Sequence, residues 1–120
     1  MSEFVTKTDG SITPLAGGMV RSDASGKIDY TLAFDGPLFE RFAALLSRGA
    51  KIYGARNWMK AGVDTDPAAR EATKQRYVQS FMRHAMSWLK GERDEDHAAA
   101  CVFNLNGYEY MLQTDPKETP

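Results

Sequence analysis

The run Arg83-His84-Ala85-Met86-Ser87-Trp88-Leu89-Lys90-Gly91-Glu92-Arg93-Asp94-Glu95-Asp96-His97 limits the fold more than any other part of this chain. An apolar helical pattern reaches Gly91, and four carboxylates (Glu92, Asp94, Glu95, Asp96) follow within five residues, flanked by His84 and His97. A glycine stop followed by an acidic knot requires one helix to end and another to begin there. The knot has two possible uses. Asp94 is of the right type for a helix N-cap, with Glu95 and Asp96 favouring the positive end of the next helix. Alternatively, Glu92 and Glu95 form an E-x-x-E pair; on a continuous helix positions i and i+3 share a face, and two carboxylates there can grip one Mg²⁺. One carboxylate can cap while another binds, so the spacing leaves both uses open.

The rest of the chain fits a mainly α protein. Residues 1–36 are rich in Gly, Ser, Thr and Asp and read as an irregular segment, with a flexible loop at 17–27 and a short extended piece at Ile28–Phe34. Pro37 suits a helix first turn, Leu38, Phe42, Leu45 and Leu46 recur at helical spacing, and the helix is expected to end near Gly54. Gly49 inside it costs about 1 kcal/mol relative to alanine, which suggests close approach by a neighbour or a ligand. After a connection at 55–66, Pro67 opens a second helical pattern that is clear from Lys74 to Lys90. Its broad stripe of Tyr77, Val78, Phe81, Met82, Ala85, Met86, Trp88 and Leu89 predicts burial on several sides. A last helix is expected from about Asp94 to Gln113. Ala98, Cys101, Val102, Leu105, Tyr108 and Leu112 form its main apolar stripe; His97, Ala100, Asn104, Gly107 and Met111 form an adjacent, smaller and more polar stripe that could face a site. The tail 114–120, with two prolines, is expected to fray.

At 120 residues the chain is read as one domain: an irregular segment at 1–36, a helical core at 37–113 and the tail. Three or four helices make a thin core, which predicts a homo-oligomer, dimer or tetramer, that completes the bundle. A net charge of −1 leaves no basic footprint for duplex nucleic acid. No apolar run is long enough for a membrane helix and no secretory leader is evident. With Cys101 the only cysteine, no internal disulfide forms, which fits a reducing, cytoplasmic setting.

Several residues are candidates for binding. The run Lys51-Ile52-Tyr53-Gly54-Ala55-Arg56-Asn57-Trp58-Met59-Lys60 interleaves cations with two aromatics and an amide. Cations neutralise phosphates, an aromatic ring stacks on a base and an amide reads a base edge; a plain helix connection with Trp58 tucked into the core has the same composition. His84 is either a hydrogen-bonded core residue or a catalyst. His97 is either a ligand or a surface residue, and the His84–His97 spacing matches no common zinc pattern. Arg21 and Lys27 are phosphate contacts or solvated loop cations, without a Walker A pattern around them.

Taken in order, these pieces resemble a known family: the small phage and bacterial domain named for dATP/dGTP diphosphohydrolases, related in mechanism to MazG-like all-α nucleotide pyrophosphohydrolases. The resemblance rests on Gly17-Gly18-Met19-Val20-Arg21, Gly26-Lys27-Ile28-Asp29-Tyr30, Arg48-Gly49-Ala50-Lys51-Ile52-Tyr53-Gly54-Ala55-Arg56-Asn57-Trp58, Arg83-His84 with Trp88-Leu89-Lys90-Gly91-Glu92, and Asp94-Glu95-Asp96-His97-Ala98-Ala99-Ala100 with Asn104. It spans about residues 17–112. The fuller MazG pattern pairs one E-x-x-E with a later E-x-x-D; here the later position has Glu109 with Leu112 in the place of the aspartate, and the segment from the acidic knot to the histidine is short.

The resemblance implies hydrolysis of a purine deoxynucleoside triphosphate to the monophosphate and pyrophosphate. It implies Mg²⁺ or Mn²⁺ held by Glu92, Glu95 and Asp96, and phosphates clamped by Lys51 and Arg56 with Arg21 and Lys27. Trp58 or Tyr53 would stack on the base, Asn57 would read its edge, His84 would orient the phosphate or the water, and Asn104 would join the substrate site. On that reading Glu92→Gln abolishes turnover. The incomplete second acidic pair favours an alternative of another class, a non-catalytic phage accessory module that binds a nucleotide or a protein on the same scaffold.

Overall fold

The computed structural model describes residues 4–116. The chain divides into two compact units, Met1–Leu32 and Ala33–Pro120. In the first, β1 (Ile12–Pro14) pairs antiparallel with β2 (Val20–Ser22), placing Ile12 opposite Ser22 and Thr13 opposite Arg21. Gly17 and Gly18 supply the positive φ angles of the turn between the strands (67° and 81°). The expected extended piece at Ile28–Phe34 is instead a 3-10 turn at Tyr30–Phe34. Asp29 starts that turn, its carboxylate accepting from the Thr31 amide (3.0 Å) and hydroxyl (2.6 Å). The strands lie upstream, and β2 falls inside the stretch read as a flexible loop.

The second unit is helical, as the spacing predicted. Helix α1 (Leu38–Tyr53) begins just after Pro37 and stops at Gly54, whose φ of 93° breaks it. A 3-10 segment, Asn57–Val63, leads to α2 (Pro67–Leu89), a single helix. Pro67 opens it, with the Asp66 carboxylate accepting from the Ala69 amide at 3.1 Å. Gly91 (φ 77°) ends the turn after α2, and α3 (His97–Gln113) follows. Its N-cap is Asp96, which accepts from the Ala99 amide at 3.1 Å, so Asp94 lies outside the helix that it was expected to cap. Helices α2 and α3 are antiparallel: Arg70 meets the end of α3 and His84 meets its start.

Burial corrects two expectations. On α2, Val78, Met82, Met86 and Leu89 are exposed, because one face packs on α3 and nothing among the described residues covers the opposite one. On α3 the small and polar stripe is the buried one. His97, Ala100, Asn104, Gly107 and Met111 are inside, whereas Leu105 and Leu112 face outward. Gly107 shows why: a Cβ there would collide with the Tyr77 ring of α2, so a stripe without bulk is what lets the helices approach. Gly49, expected to mark close approach by a neighbour or a ligand, has no close neighbour among the described residues; a Cβ there would meet nothing within 4 Å.

Arg70, 3% exposed, ties the unit together. It donates to the carbonyls of Ala61 (3.4 Å), Gly62 (3.1 Å), Asp64 (2.8 Å) and Met111 (2.8 Å), to the Thr114 hydroxyl (2.9 Å) and to Asp115 (3.0 Å). Thr114 and Asp115, expected to fray, are therefore bonded; 117–120 lie outside the described residues. Hydrogen bonds from Lys74 and then Arg70 hold the Asp115 carboxyl below its ordinary value of 3.8. A depressed folded value stabilises above the unfolded pKa and is lost as pH falls below it. The stability gap between the chain and Asp115→Asn is expected to be present at pH 6 and to close below about pH 4. Thermal melts across that range check it.

Candidate active site

An open cleft of about 1060 Å³ lies among α1, α2, the 90–96 connection and α3. Its lining includes His84, Asp94, Glu95 and Asp96 together with Arg41, Arg48 and Arg93, and also Asn104 and Ser80. The helical register explains the cationic wall: Arg41, Leu45, Arg48, Gly49 and Ile52 recur on one face of α1.

Buried against His84 and Asp94, and not itself lining the cleft, is His97, 5% exposed, which the sequence offered as a ligand or a surface residue. Its Nδ1 lies 2.9 Å from Nδ1 of His84, and its Nε2 lies 2.8 Å from a carboxylate oxygen of Asp94. Asp94 is an acceptor, so Nε2 of His97 carries the proton and donates. With His97 neutral, its Nδ1 keeps a lone pair directed at His84. The hydrogen bond from His97 holds the Asp94 carboxyl below its ordinary value.

Among the described residues, two groups of ligand-type atoms lie within 4.8 Å of one another: His84, Glu95 and His97, and Glu92, Asp94 and His97. The first suits a divalent ion better. A metal-bound histidine commonly donates its other N–H to a carboxylate, as His97 does to Asp94. Two imidazole nitrogens bound to one ion at right angles sit about 3.0 Å apart, given metal–nitrogen bonds of roughly 2.1 Å, close to the observed 2.9 Å. His84 and Glu95 also line the cleft, and Glu92 does not. Two nitrogens and one carboxylate suit Mn²⁺ or another first-row ion more than Mg²⁺, which prefers oxygen.

The three carboxylates assigned to a metal from the sequence thus separate. Residues 90–96 are not helical, so Glu92 and Glu95 share no helix face. Glu95 is in the cluster with the histidines. Asp96 is committed elsewhere: it caps α3 and forms a two-point ion pair with Arg41, Arg41 Nε donating at 2.8 Å. That pair, with the Ala99 amide and the nearby Arg48 charge, holds the Asp96 carboxyl at about 2.

Neither Lys51 nor Arg56, the cations of the helical unit expected to clamp phosphates, lines this cleft. Lys51 is exposed on α1 and lines neither this cleft nor the cavity beside it; Arg21 and Lys27 belong to the hairpin unit, Lys27 donating to the Ser22 hydroxyl at 3.3 Å. Arg48 and Arg93, which stand in the quoted motif strings without an expected role, line the cleft and form no ion pair among the described residues. The face periodicity of α1 could have found Arg48 and Arg41; Arg93 is hidden within the acidic run. Asn104 does line the cleft, its amide donating to the Ala100 carbonyl at 2.8 Å.

Tyr53, Arg56, Asn57 and Trp58 come together around a second cavity of about 500 Å³. Trp58 is half-buried, edge-on to Tyr110 (ring centres 5.1 Å apart) and Phe103 (6.5 Å). Tyr53 is 67% exposed and lines both spaces. Arg56 is the one described non-glycine residue with positive φ, at 60°.

A helical unit whose cleft is lined by a histidine and carboxylates together with arginines that form no ion pair among the described residues has the parts needed to handle a phosphorylated substrate. The family model described as "dATP/dGTP diphosphohydrolase, N-terminal" matches residues 18–119, and the chain belongs to that family. Its description points to a diphosphohydrolase and to the N-terminal part of one. No curated protein and no solved structure matches the chain. Among the described residues no helix is long and apolar enough to cross a membrane.

Proposed function

We propose that the chain hydrolyses a purine deoxynucleoside triphosphate to the monophosphate and pyrophosphate, with a divalent ion at His84, Glu95 and His97. The observation that carries this reading is one cleft lined by His84 and Glu95 of that cluster and by Arg48 and Arg93, which form no ion pair among the described residues. A polyphosphate carrying a cation needs both signs of charge side by side, and the family's description names the substrates.

The reaction adds one water at the α-phosphorus and breaks the α–β phosphoanhydride, with pyrophosphate leaving. The bound ion would supply Lewis acidity, neutralising phosphate charge and making a water more acidic. Arg48 and Arg93 hold non-bridging phosphate oxygens through paired N–H donors. Asp94 fixes the His97 ring and its tautomer. His84 has Nε2 left to donate to a phosphate oxygen or position the water. Arg41 works indirectly: by pairing with Asp96 it joins α1 to the start of α3 and so sets the width of the cleft.

The test is pyrophosphate release from deoxy- and ribonucleoside triphosphates with Mn²⁺, with Mg²⁺ and with EDTA. Release that needs a metal and favours a purine deoxynucleotide is expected. Nucleotide binding by folded protein with no release under any of these conditions would establish the binding module instead. The uncovered stripe of Val78, Met82, Met86 and Leu89 supports association with a second copy of the chain, which sedimentation on the same sample reads directly.

A further inference from the structure

We infer that Gly49 is the aperture through which a nucleotide passes from the phosphate cleft into the 500 Å³ cavity lined by Leu45, Tyr53, Asn57, Trp58 and Phe103, where the resemblance would place the purine. The inference rests on the nucleotide reading above and deepens it by giving Gly49 a role in how the nucleotide is seated.

Each other glycine of the helical unit has a reason in the fold. Gly36, Gly54 and Gly91 adopt positive φ. Gly62 and Gly107 lack a Cβ because the rings of Tyr110 and Tyr77 occupy its place. Gly49 has neither reason. It sits in the interior of α1 without a positive φ, and a Cβ there would meet no atom within 4 Å. Glycine is a poor helix former, so a helix keeping one where alanine would fit is giving up stability.

What surrounds Gly49 is open space shared by two cavities. Leu45, Gly49, Tyr53 and Phe103 line both, and Gly49 alone among them carries no side chain. A nucleotide with its phosphates between Arg48 and the histidine cluster passes its sugar over that point to reach the second cavity. The volume is in the range of small-molecule sites, and the walls are mainly apolar, as a purine face requires. Trp58 is held edge-on by Tyr110 and Phe103 and serves as a wall; the exposed Tyr53 is the ring free to stack. Asn57 and Arg56 supply polar groups, and the positive φ of Arg56 marks the strained backbone that functional sites retain.

The experiment compares the full chain with Gly49→Ala and Gly49→Leu. Three quantities are read: thermal stability, Kd for dATP and dGTP, and Kd for inorganic tripolyphosphate. Both variants are expected to melt at or above the temperature of the parent, which shows that the fold is intact. Nucleotide affinity is expected to fall at least tenfold with alanine and further with leucine, and the loss for nucleotide to exceed the loss for tripolyphosphate at least tenfold. Unchanged nucleotide affinity in Gly49→Leu overturns the aperture. Equal loss of both ligands also overturns it, by placing Gly49 in the phosphate cleft alone. A change in oligomeric state without a change in nucleotide affinity assigns the cavity to a subunit contact. Failure of the parent chain to bind any nucleotide refutes the nucleotide reading itself, and is distinct from these three results.

Discussion

Glu95→Gln is expected to lower pyrophosphate release at least a hundredfold while leaving the melting temperature unchanged. Glutamine keeps the shape of the side chain and removes its charge, so an ion held by His84 and His97 loses its one anionic ligand. A hundredfold corresponds to about 2.7 kcal/mol of transition-state stabilisation, within what a bound cation supplies through charge neutralisation. Glu95 is exposed and makes no ion pair among the described residues, and surface substitutions of that kind shift stability by about 0.5 kcal/mol or less. Activity loss without unfolding therefore separates function from structure. Glu92→Gln is the matched control. The resemblance made Glu92 essential, but its side chain does not line the cleft. If Glu92→Gln is dead and Glu95→Gln is active, the ion belongs with Glu92, Asp94 and His97. Steady-state kinetics with calorimetric Mn²⁺ binding on both variants decides between the groups.

The largest effect on stability is expected from Arg70→Met, a loss of about 3–5 kcal/mol, typical when one partner of a buried ionic network is removed. Methionine replaces much of the stem's volume and none of the donors. The carbonyls of Ala61, Gly62, Asp64 and Met111 would each lose the hydrogen bond that the guanidinium supplies, and Asp115 would keep only Lys74. Lysine at this position is expected to recover little, because a single ammonium cannot reach acceptors spread around a planar fork. Urea denaturation measures both variants. A change below 1 kcal/mol for Arg70→Met would show that water replaces the guanidinium without cost.

Helix boundaries were legible wherever a residue imposes a backbone constraint. Pro37 and Gly54 bracket α1, Pro67 opens α2 and Gly91 closes the turn after it. Three things were not legible, each for a physical reason. The acidic run holds several residues able to cap a helix, and the selection of Asp96 depends on Arg41, distant in sequence, which forms an ion pair with it. Hydropathy points to the wrong stripe of α3, since close helix approach favours small residues over apolar ones; Gly107 under Tyr77 is the clearest case. The site histidines were singled out, but their contact joins residues 84 and 97 across the α2–α3 hairpin, and no spacing rule reports that. The cationic wall was missed because a search for short clusters favours Lys51 and Arg56 over arginines separated by two helical turns on α1.

The clamp formed by Arg70 also bears on how such a chain can diverge. It grips the Asn57–Val63 segment and the residue after it through main-chain oxygens at 61, 62 and 64, which every amino acid offers alike. The segment's path is thereby set independently of most of its side chains, with Gly62 fixed by Tyr110. Trp58 and Met59, which line the second cavity, are carried on that same path. Mutation can therefore re-tailor the lining of that cavity while the backbone beneath it stays in place, so descendants of one scaffold can vary what the cavity accepts without relearning how to fold.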